Sequence, residues 1–570
     1  GRKFEDNVMK LLYEEFGTDF IAEIGGELNT VSKEKVSDTL TAMNKGTPFI
    51  HSGLLHDPHH KIYGVPDLLV RSDWINSLVS IKPLTTSQKS ISAPRLKDMY
   101  YPDKAPNYHY LVVDIKFSTL YFRSDGVHLL NCGSIPAYKG QVWVYNEALA
   151  LLQGYKPPKA YLLGRKWRYT SKGETIKGKK CFDRLGEVDF ITIDNSYAQK
   201  SMVAVKWIQE VRSPDAKDWN VLTVPLARKE LYPNMSNGHD HPWRGVKSKI
   251  ADEIKELTSL WMVGVKHREN AHSQGVYKWS DPKCTVDVLG FKGEYTRNIL
   301  SKILDINQNP RILKVKPRTI KNNLQGWQTK NPIEFYVDFE TVSNILTDFK
   351  HLPEAEDSSM IFMIGVGFKD PINHRWTYKD FTVNSLTINE EKRICSEFST
   401  YIRSESEWYD CDNPLMVHWA HAEKNWWADA LERHSRTARR ENWVECSSDT
   451  KGPEWFDLLK LFKAEPIVIE GCFGFSLKQV TNALYKHGLI NTVWDANGSC
   501  LDGQGAMVGA WNCYKECKLK GIPMKDHPIT KGIREYNEVD VKTLFEIITY
   551  LRDEHIEKIE EISEEESVEF

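Results

Sequence analysis

Several things are missing from this 570-residue chain, and each absence removes a class of protein. No apolar run approaches the roughly 18–20 residues that a bilayer-spanning helix needs. No secretory signal is visible at its start, Gly1. Its 10 cysteines are scattered. Cys513 and Cys517 make the only close pair, and no second pair completes a zinc site. That pattern fits a reducing compartment and a protein that is not secreted. An excess of one charge is missing too: 75 Lys and Arg face 78 Asp and Glu, for a net charge of −3. The chain is therefore no polycation, and any nucleic-acid binding must use local basic patches. No Gly-x-x-x-x-Gly-Lys-Ser/Thr loop is present, so ATP-driven unwinding would come from a separate helicase. There is no internal repeat and no long low-complexity tract.

What remains is an ordinary globular composition, 41% apolar and 27% charged, long enough for two to four domains. The periodicity predicts a mixed α/β region over 1–235. Phe4, Val8, Leu11, Leu12 and Phe16 recur at helical spacing, with Gly17 as a stop signal. A His- and Pro-rich loop is expected from His51 to His60. Strand-like runs follow at Tyr63–Val70 and Tyr108–Phe117, a helix at Tyr138–Leu152, and further strands at Ala160–Leu163, Val188–Ile193 and Val221–Val224. Residues 236–330 read as a helical connector, with a helix over Ile250–Val263. Leu257–Val265 and Ala271–Val276 are similar to a degenerate helix-hairpin-helix that lacks the usual Gly-x-Gly turn. Arg311–Lys330 reads as a basic, Pro-containing linker. A second α/β region is expected over 331–555, with paired strands at Phe335–Phe339 and Ile361–Phe368 and helices at Ser476–Lys486 and Tyr536–Leu551. An acidic tail over 556–570 closes the chain.

Two carboxylate patterns carry chemistry. In the first, Asp114 and Lys116 stand two apart on a strand and so point to one face. Asp67, in Gly64-Val65-Pro66-Asp67 from the preceding strand, can reach that face. The two carboxylates and the Ile115 carbonyl are hard oxygen donors suited to Mg²⁺ or Mn²⁺, and Lys116 can orient a water or steady phosphate charge. Taken alone, Asp-x-Lys also reads as a surface ion pair. Gln141 and Tyr145 lie on one face of the following helix. Beyond it come Lys156, Lys159, Arg165, Lys166, Arg168, Lys172, Lys177, Lys179, Lys180 and Arg184, opposed only by Glu174 and Asp183. This stretch reads either as a solvated loop or as a phosphate-tracking patch. Trp167 and Tyr169 within it are packing residues or a base-stacking surface.

In the second pattern, Asp338 and Glu340 share a strand face. Asp540 lies in Tyr536-Asn537-Glu538-Val539-Asp540, with Tyr536 one helical turn earlier. Acidic residues inside apolar strands are costly unless a cation compensates them. With a fourth carboxylate beside these three, such a group can hold two cations roughly 3.5–4 Å apart in phosphodiester hydrolysis.

Residues 1–235 resemble the RecB-like branch of PD-(D/E)XK nucleases, which includes lambda-type exonucleases and CRISPR-associated RecB-like adaptation nucleases. The resemblance implies a restriction-endonuclease-like fold. It gives Gln141 and Tyr145 contacts to the substrate, and it makes His51 or Glu5 an additional metal ligand, in competition with His56, His59 and His60. The long gap from Asp67 to Asp114 implies an insertion around Trp74–Pro106. The iron–sulfur cluster of many relatives needs four cysteines, and only Cys132 and Cys181 are at hand, so no cluster is expected. Residues 333–552 resemble the RNase H-like DEDD exonucleases with Tyr before the last Asp, as in bacterial domains fused to RecB-like nucleases. In that resemblance Val417-His418-Trp419-Ala420-His421-Ala422-Glu423-Lys424 makes Glu423 the third carboxylate, and Phe475-Ser476-Leu477-Lys478 matches a later segment. Giant-virus RecB-like nucleases are similar as well, so the expected location is the cytoplasm or a viral-factory-like compartment. The implied function is a metal-dependent DNA nuclease acting on single- or double-stranded DNA, with the first site as main catalyst. The alternatives are an RNA-processing 3′–5′ exonuclease and an end-binding scaffold with an inactive second site.

Overall fold

The computed structural model describes residues 1–25, 32–97, 103–213, 219–238, 240–309, 313–342, 359–445, 453–495, 500 and 503–557. It is a mixed α/β protein whose chain divides into two compact units, with a break after Lys217. Among the described residues no helix is long and apolar enough to cross a membrane.

The first unit begins with helix α1 (Arg2–Phe16), which buries Phe4, Val8, Met9 and Leu12 and ends at Gly17. Strand β1 (Ile21–Glu23) and helix α2 (Lys33–Asn44), capped by the Ser32 hydroxyl, follow. Strand β2 is Phe49–His51. The expected His-rich loop is instead a small hairpin, β3 (Leu55–Asp57) on β4 (Ile62–Gly64), closed where Asp57 accepts N–H bonds from His59 and His60. The run expected as one strand over Tyr63–Val70 is two, because Val65-Pro66-Asp67 breaks it before β5 (Leu68–Arg71). Pro66 has no N–H for a ladder, which accounts for the break. The insertion holds two single-turn helices, α3 (Ile75–Leu78) and α4 (Thr86–Lys89). The Ser72 hydroxyl and the His109 ring bind the backbone of this segment at Lys89 and Ile91.

Strand β6 (Tyr110–Tyr121) is the spine of the unit. Helix α5 (Ile135–Gln153) crosses from it to the parallel strand β7 (Lys159–Ser171). Strands β8 (Glu174–Gly178) and β9 (Gly186–Asp189) then pair with different parts of β7. The sheet order is β1-β2-β5-β6-β7-β8, with β9 also on β7. Val113 and Ile115 face one core with α1, while Tyr110 and Val112 face the other with α5. The two-residue period puts Asp114 and Lys116 on the α5 face. Helix α6 (Asn195–Val211) closes the unit. Val221–Val224, expected as a strand, forms bends.

Among the described residues the second unit starts at 219, inside the stretch expected in the first α/β region, and runs on through residues that had read as a connector. Helix α7 (Arg244–Ile254) stops at Lys255, which is left-handed at φ 57°. The helix expected over Ile250–Val263 therefore gives way to a short 3₁₀ turn at Leu257–Ser259. Helices α8 (Val265–Ser273) and α9 (Glu294–Gln308) follow, then β10 (Val315–Lys316). This stretch is no free connector: Leu257, Leu289, Ile299, Leu300, Val315 and Trp327 share one buried core with Tyr336, Val417 and Val541. The described part of the expected basic linker is likewise packed, with Trp327 fully buried.

The main sheet of this unit is built from β11 (Glu334–Val342), β12 (Met360–Lys369), β13 (Trp376–Thr382), β14 (Leu415–His418) and β15 (Glu454–Asp457), in the order β13-β12-β11-β14-β15. Strand β16 (Val468–Ile469) pairs with β10. β11 runs antiparallel to β12 and parallel to β14. Phe335, Val337 and Phe339 point into a core with α10 (Ile388–Trp408), α11 (Ala422–Arg433) and α12 (Ser435–Glu441). Tyr336 points into the opposite core, and the period carries Asp338 and Glu340 to its side. Helices α13 (Leu458–Ala464), α14 (Leu477–Lys486), α15 (Gly503–Lys520) and α16 (Pro528–His555) complete the unit. The Ser476 capping box starts α14, and α16 buries its length against β11 and β12. Of the acidic tail, 558–570 lies outside the described residues.

Candidate functional site

Two groups of the expected residues come together, one in each unit. In the first unit, β5 and β6 pair Leu68 with Val113 in antiparallel register, so the next step sets Asp67 beside Asp114. Asp67 is not on a strand but in the turn before β5. Its Oδ2 accepts the Ile115 N–H at 2.6 Å. Asp114 is 1% exposed, and its Oδ1 has no hydrogen-bond partner. Lys116 Nζ lies 2.5 Å from Asp114 Oδ2 and 5.2 Å over the Tyr138 ring of α5. Burial, then the charges of Asp114 and Glu5, push the Asp67 carboxyl up to about 8. Burial raises Asp114 as well, against the pull of Lys116.

Of the four histidine candidates, His51 at the end of β2 belongs here. Its Nε2 lies 3.2 Å from Glu5 of α1, and its Nδ1 pairs with Glu23. Burial alone would lower the ring's pKa, but hydrogen bonds to Glu23 and Glu5 outweigh it and raise it to about 9. Without a bound metal ion, the two carboxylates draw the His51 ring toward its charged form. Glu23 carried no motif and went unread. His56, His59 and His60 belong to the β3–β4 hairpin, where His60 pairs with Asp57 at 2.6 Å. Gln141 donates to the Tyr145 hydroxyl at 2.8 Å on one face of α5. Tyr145 is raised by burial and then by the Asp114 charge. Gly64 of the motif is needed because a Cβ there would overlap the Tyr145 ring.

In the second unit, Asp338, Glu340 and Asp540 offer ligand oxygens within 4.8 Å of one another. Asp338 and Glu340 come from β11 and Asp540 from α16, 200 residues later. Burial, then the Asp540 and Glu423 charges, raise Asp338 well above the usual carboxylate range. Burial and Asp338 do the same to Glu340, and burial and Glu340 to Asp540. Glu423, in the first turn of α11, is 6% exposed with an unpartnered Oε2, and His418 Nδ1 stands 3.6 Å from it. Tyr536 bonds to Asp540 on the same helix face, and burial and that carboxylate raise its hydroxyl. Lys478, from the Ser-Leu-Lys segment on α14, lies 4.8 Å over the Tyr536 ring and lowers both Glu340 and Asp540.

Asn537 is the residue that sequence reading missed here, although it stands inside the quoted motif. Its amide donates to Asp338 Oδ2 at 2.7 Å and to the Asp338 carbonyl at 3.2 Å, and it accepts from the Tyr378 hydroxyl at 2.9 Å. Only a glycine fits opposite it: Gly365 of β12 is in register with Asp338, and a Cβ there would overlap the Asn537 oxygen.

A third grouping, His128, Glu187 and Asp189, also lies within 4.8 Å. Its atoms already have partners. Lys159 pairs with Glu187, Asp125 holds His128 at 2.8 Å, and Asp189 accepts the N–H groups of Ile191 and Thr192. The basic stretch is a hairpin of β7 and β8 rather than a loop. Lys156 and Lys159 are paired with Glu147 and Glu187, so they do not belong to an open patch. Arg168, Lys172, Lys177, Lys179 and Lys180 are exposed, and Arg165 and Lys166 are half-buried. Cys513 and Cys517 lie 3.7 Å apart as free thiols.

The donors of both sites are all oxygen, which suits hard divalent cations. The orphaned oxygens of Asp114 and Glu423 and the mutually raised carboxylates are what a missing positive charge leaves behind. No protein-family model and no curated protein matches the chain.

Proposed function

We propose that this chain is a divalent-metal-dependent nuclease that hydrolyses phosphodiester bonds in DNA. In this reading the first unit is a RecB-like PD-(D/E)XK domain and the main catalyst, and the second an RNase H-like DEDD exonuclease-type domain. One observation carries it: the half-buried Asp338 and the buried Glu340 and Asp540, from a strand and a distant helix, meet within 4.8 Å, joined by Glu423 and Tyr536, with Lys478 as the cation that bears on them. Asp338, Glu340, Glu423 and Asp540 would hold Mg²⁺ or Mn²⁺ there, and Asp67, Asp114 and the Ile115 carbonyl in the first unit. Bound cations would supply the charge that stabilises attacking and leaving oxygens at phosphorus. The chain's own residues do the rest. Asn537 fixes the Asp338 carboxylate. Tyr536 is placed to orient a water beside Asp540, and Lys478 to meet a phosphate. Lys116 orients water or steadies phosphate charge in the first unit, beside the Gln141–Tyr145 pair.

The test is Mn²⁺- and Mg²⁺-dependent degradation of labelled single-stranded DNA, duplex DNA and RNA in parallel. Asp114→Ala should remove most DNA cleavage and keep binding. A residual 3′-end-dependent activity should then vanish in Asp338→Ala/Asp540→Ala. RNA degradation without DNA degradation, or wild-type rates in both variants, would sink the proposal.

A further inference from the structure

The long hairpin of β7 and β8 has a chemistry that the two acidic sites do not use. Its register sets Arg168 directly across from Lys177, Tyr169 from Ile176 and Thr170 from Thr175, with Lys172 and Gly173 at the turn. On the other side of β7, Tyr121 of β6 is in register with Arg168. One face of the ribbon therefore carries a row of Tyr121, Arg168 and Lys177, followed by the Thr170 and Thr175 hydroxyls 3.3 Å apart. Like charges placed directly opposite destabilise a strand pair. Among the described residues no carboxylate pairs with Arg168, Lys172 or Lys177, all of them exposed. A polyanion is the partner that turns this repulsion into attraction.

The hairpin's aromatic rings say which polyanion. A single-strand binder needs open ring faces on which bases stack. Here the rings are already covered. The Arg184 guanidinium lies 3.9 Å from the Trp167 ring centre and 5.3 Å from Tyr169, and the Trp167 indole donates to Asp183 at 2.9 Å. Arg168 covers Tyr121 at 4.5 Å. Apart from Ile176, what is left exposed is mainly charge and hydroxyl, which grip phosphates and not bases. Beyond the Arg168–Lys177 pair, where β6 ends, the hairpin is two-stranded from Tyr169 and Ile176 to the turn; such a tip fits the wide major groove of B-form DNA, while the deep, narrow major groove of duplex RNA excludes it.

We infer that the β7–β8 hairpin is a docking arm for double-stranded DNA, with Arg168, Lys177 and Lys172 on its phosphates. Strand β6 runs seven residues from Asp114 to Tyr121, about 23 Å at about 3.3 Å per residue; Leu120 and Trp167 pack in the core that holds Tyr110 and Val112, so the row projects from the other face of the sheet. The arm rests on the nuclease reading only for what becomes of the bound duplex.

The test is fluorescence anisotropy in EDTA with a 20-bp DNA duplex, one of its strands alone, and an RNA duplex of the same sequence, each titrated across salt. Arg168→Ala/Lys177→Ala should weaken binding of duplex DNA and make the log K against log salt slope shallower by about 1.8, at about 0.9 per phosphate contact. The slopes for single-stranded DNA and duplex RNA should not move. Lys177→Glu separates binding from folding: it replaces a like-charge pair with an opposite one, so the denaturation midpoint should hold or rise while duplex binding falls. An unchanged duplex slope, an equal loss for single strands or RNA, or wild-type binding by Lys177→Glu would overturn the arm. Because EDTA removes cleavage from the readout, a slope change in a protein that degrades nothing would uphold the arm and refute the nuclease. Degradation with unchanged slopes would do the reverse.

Discussion

Gly365→Ala is the most searching single change for the second site, because it removes none of the site's carboxylates. Gly365 lies opposite Asp338 in the β11–β12 ladder. A Cβ there would overlap the Asn537 carboxamide oxygen, stand 2.8 Å from its Cγ and 3.1 Å from the Tyr378 hydroxyl. Asn537 is fully buried on α16 and cannot swing into solvent. The new methyl must displace the amide and break its bonds to Asp338 and Tyr378. Overpacking costs about 1–3 kcal/mol, and each lost hydrogen bond about 1 kcal/mol. With all three of its hydrogen bonds lost, the sum, about 4–6 kcal/mol, is a large share of a domain's usual stability. Asn537→Ala alone gives up the bonds without the clash and should cost about 3 kcal/mol. In the double variant the methyl occupies space that Asn537 has vacated. The two changes should therefore couple favourably by about 1–3 kcal/mol in denaturant titrations. Simple additivity within about 0.5 kcal/mol would refute the claim that Gly365 exists to seat Asn537.

Gly64→Ala should act likewise in the first unit. Its Cβ would overlap the Tyr145 ring, so it should destabilise by about 1–3 kcal/mol and Tyr145→Ala should relieve the strain; a neutral Gly64→Ala would contradict this. The first unit should also lose stability in EDTA as pH rises. Asp67, raised to about 8, favours the fold while protonated, and that contribution is lost as pH climbs from about 4, its unfolded value, through 8. His51, raised to about 9, favours the fold while charged, and its contribution is lost between about 6.5 and 9. Denaturation midpoints from pH 5 to 9 should fall steadily, and Asp67→Asn should flatten the slope; a midpoint that rises over this range would reject both assignments.

The sites were legible where the chemistry is local. Asp114-x-Lys116 and Asp338-x-Glu340 declare a shared strand face through a two-residue period, and Gln141 with Tyr145, or Tyr536 with Asp540, declare a helix face through a turn. The structure brings together every carboxylate those patterns named. What stayed hidden depends on neighbours far away in sequence. Asn537 has no signature, since its value comes from Asp338, Tyr378 and a glycine on another strand. Glu23 acts only because β1 pairs with β2 in register with His51. Residues 257–327 looked like a connector because their apolar residues are interrupted by Lys, Arg and Pro, yet those apolar residues complete one face of the second unit's core. Val221–Val224 has strand propensity, but no described strand pairs with it, and propensity alone makes no sheet.

The two acidic sites are neutralised to different degrees, and this leads to a last prediction. In the first unit Asp67, Asp114, Glu5 and Glu23 are met by the Lys116 ammonium and the charged His51 ring. In the second, Asp338, Glu340, Glu423 and Asp540 are met by Lys478, with Asn537 and Tyr536 as neutral donors. Buried like charges repel and take up protons when no cation is supplied. The second site is therefore further from balance and has more to gain from a divalent ion. Ligand binding to the folded state alone stabilises by about 2.7 kcal/mol at a concentration of 100 times Kd. Mn²⁺ should raise the unfolding midpoint, and Asp338→Asn/Asp540→Asn should abolish most of that rise while itself stabilising the metal-free protein. Asp67→Asn/Asp114→Asn should remove a smaller part, because Lys116 and His51 already offset those carboxylates. A Mn²⁺ shift that survives Asp338→Asn/Asp540→Asn intact, or that vanishes with the first-site pair alone, would show that charge balance does not rank the two sites.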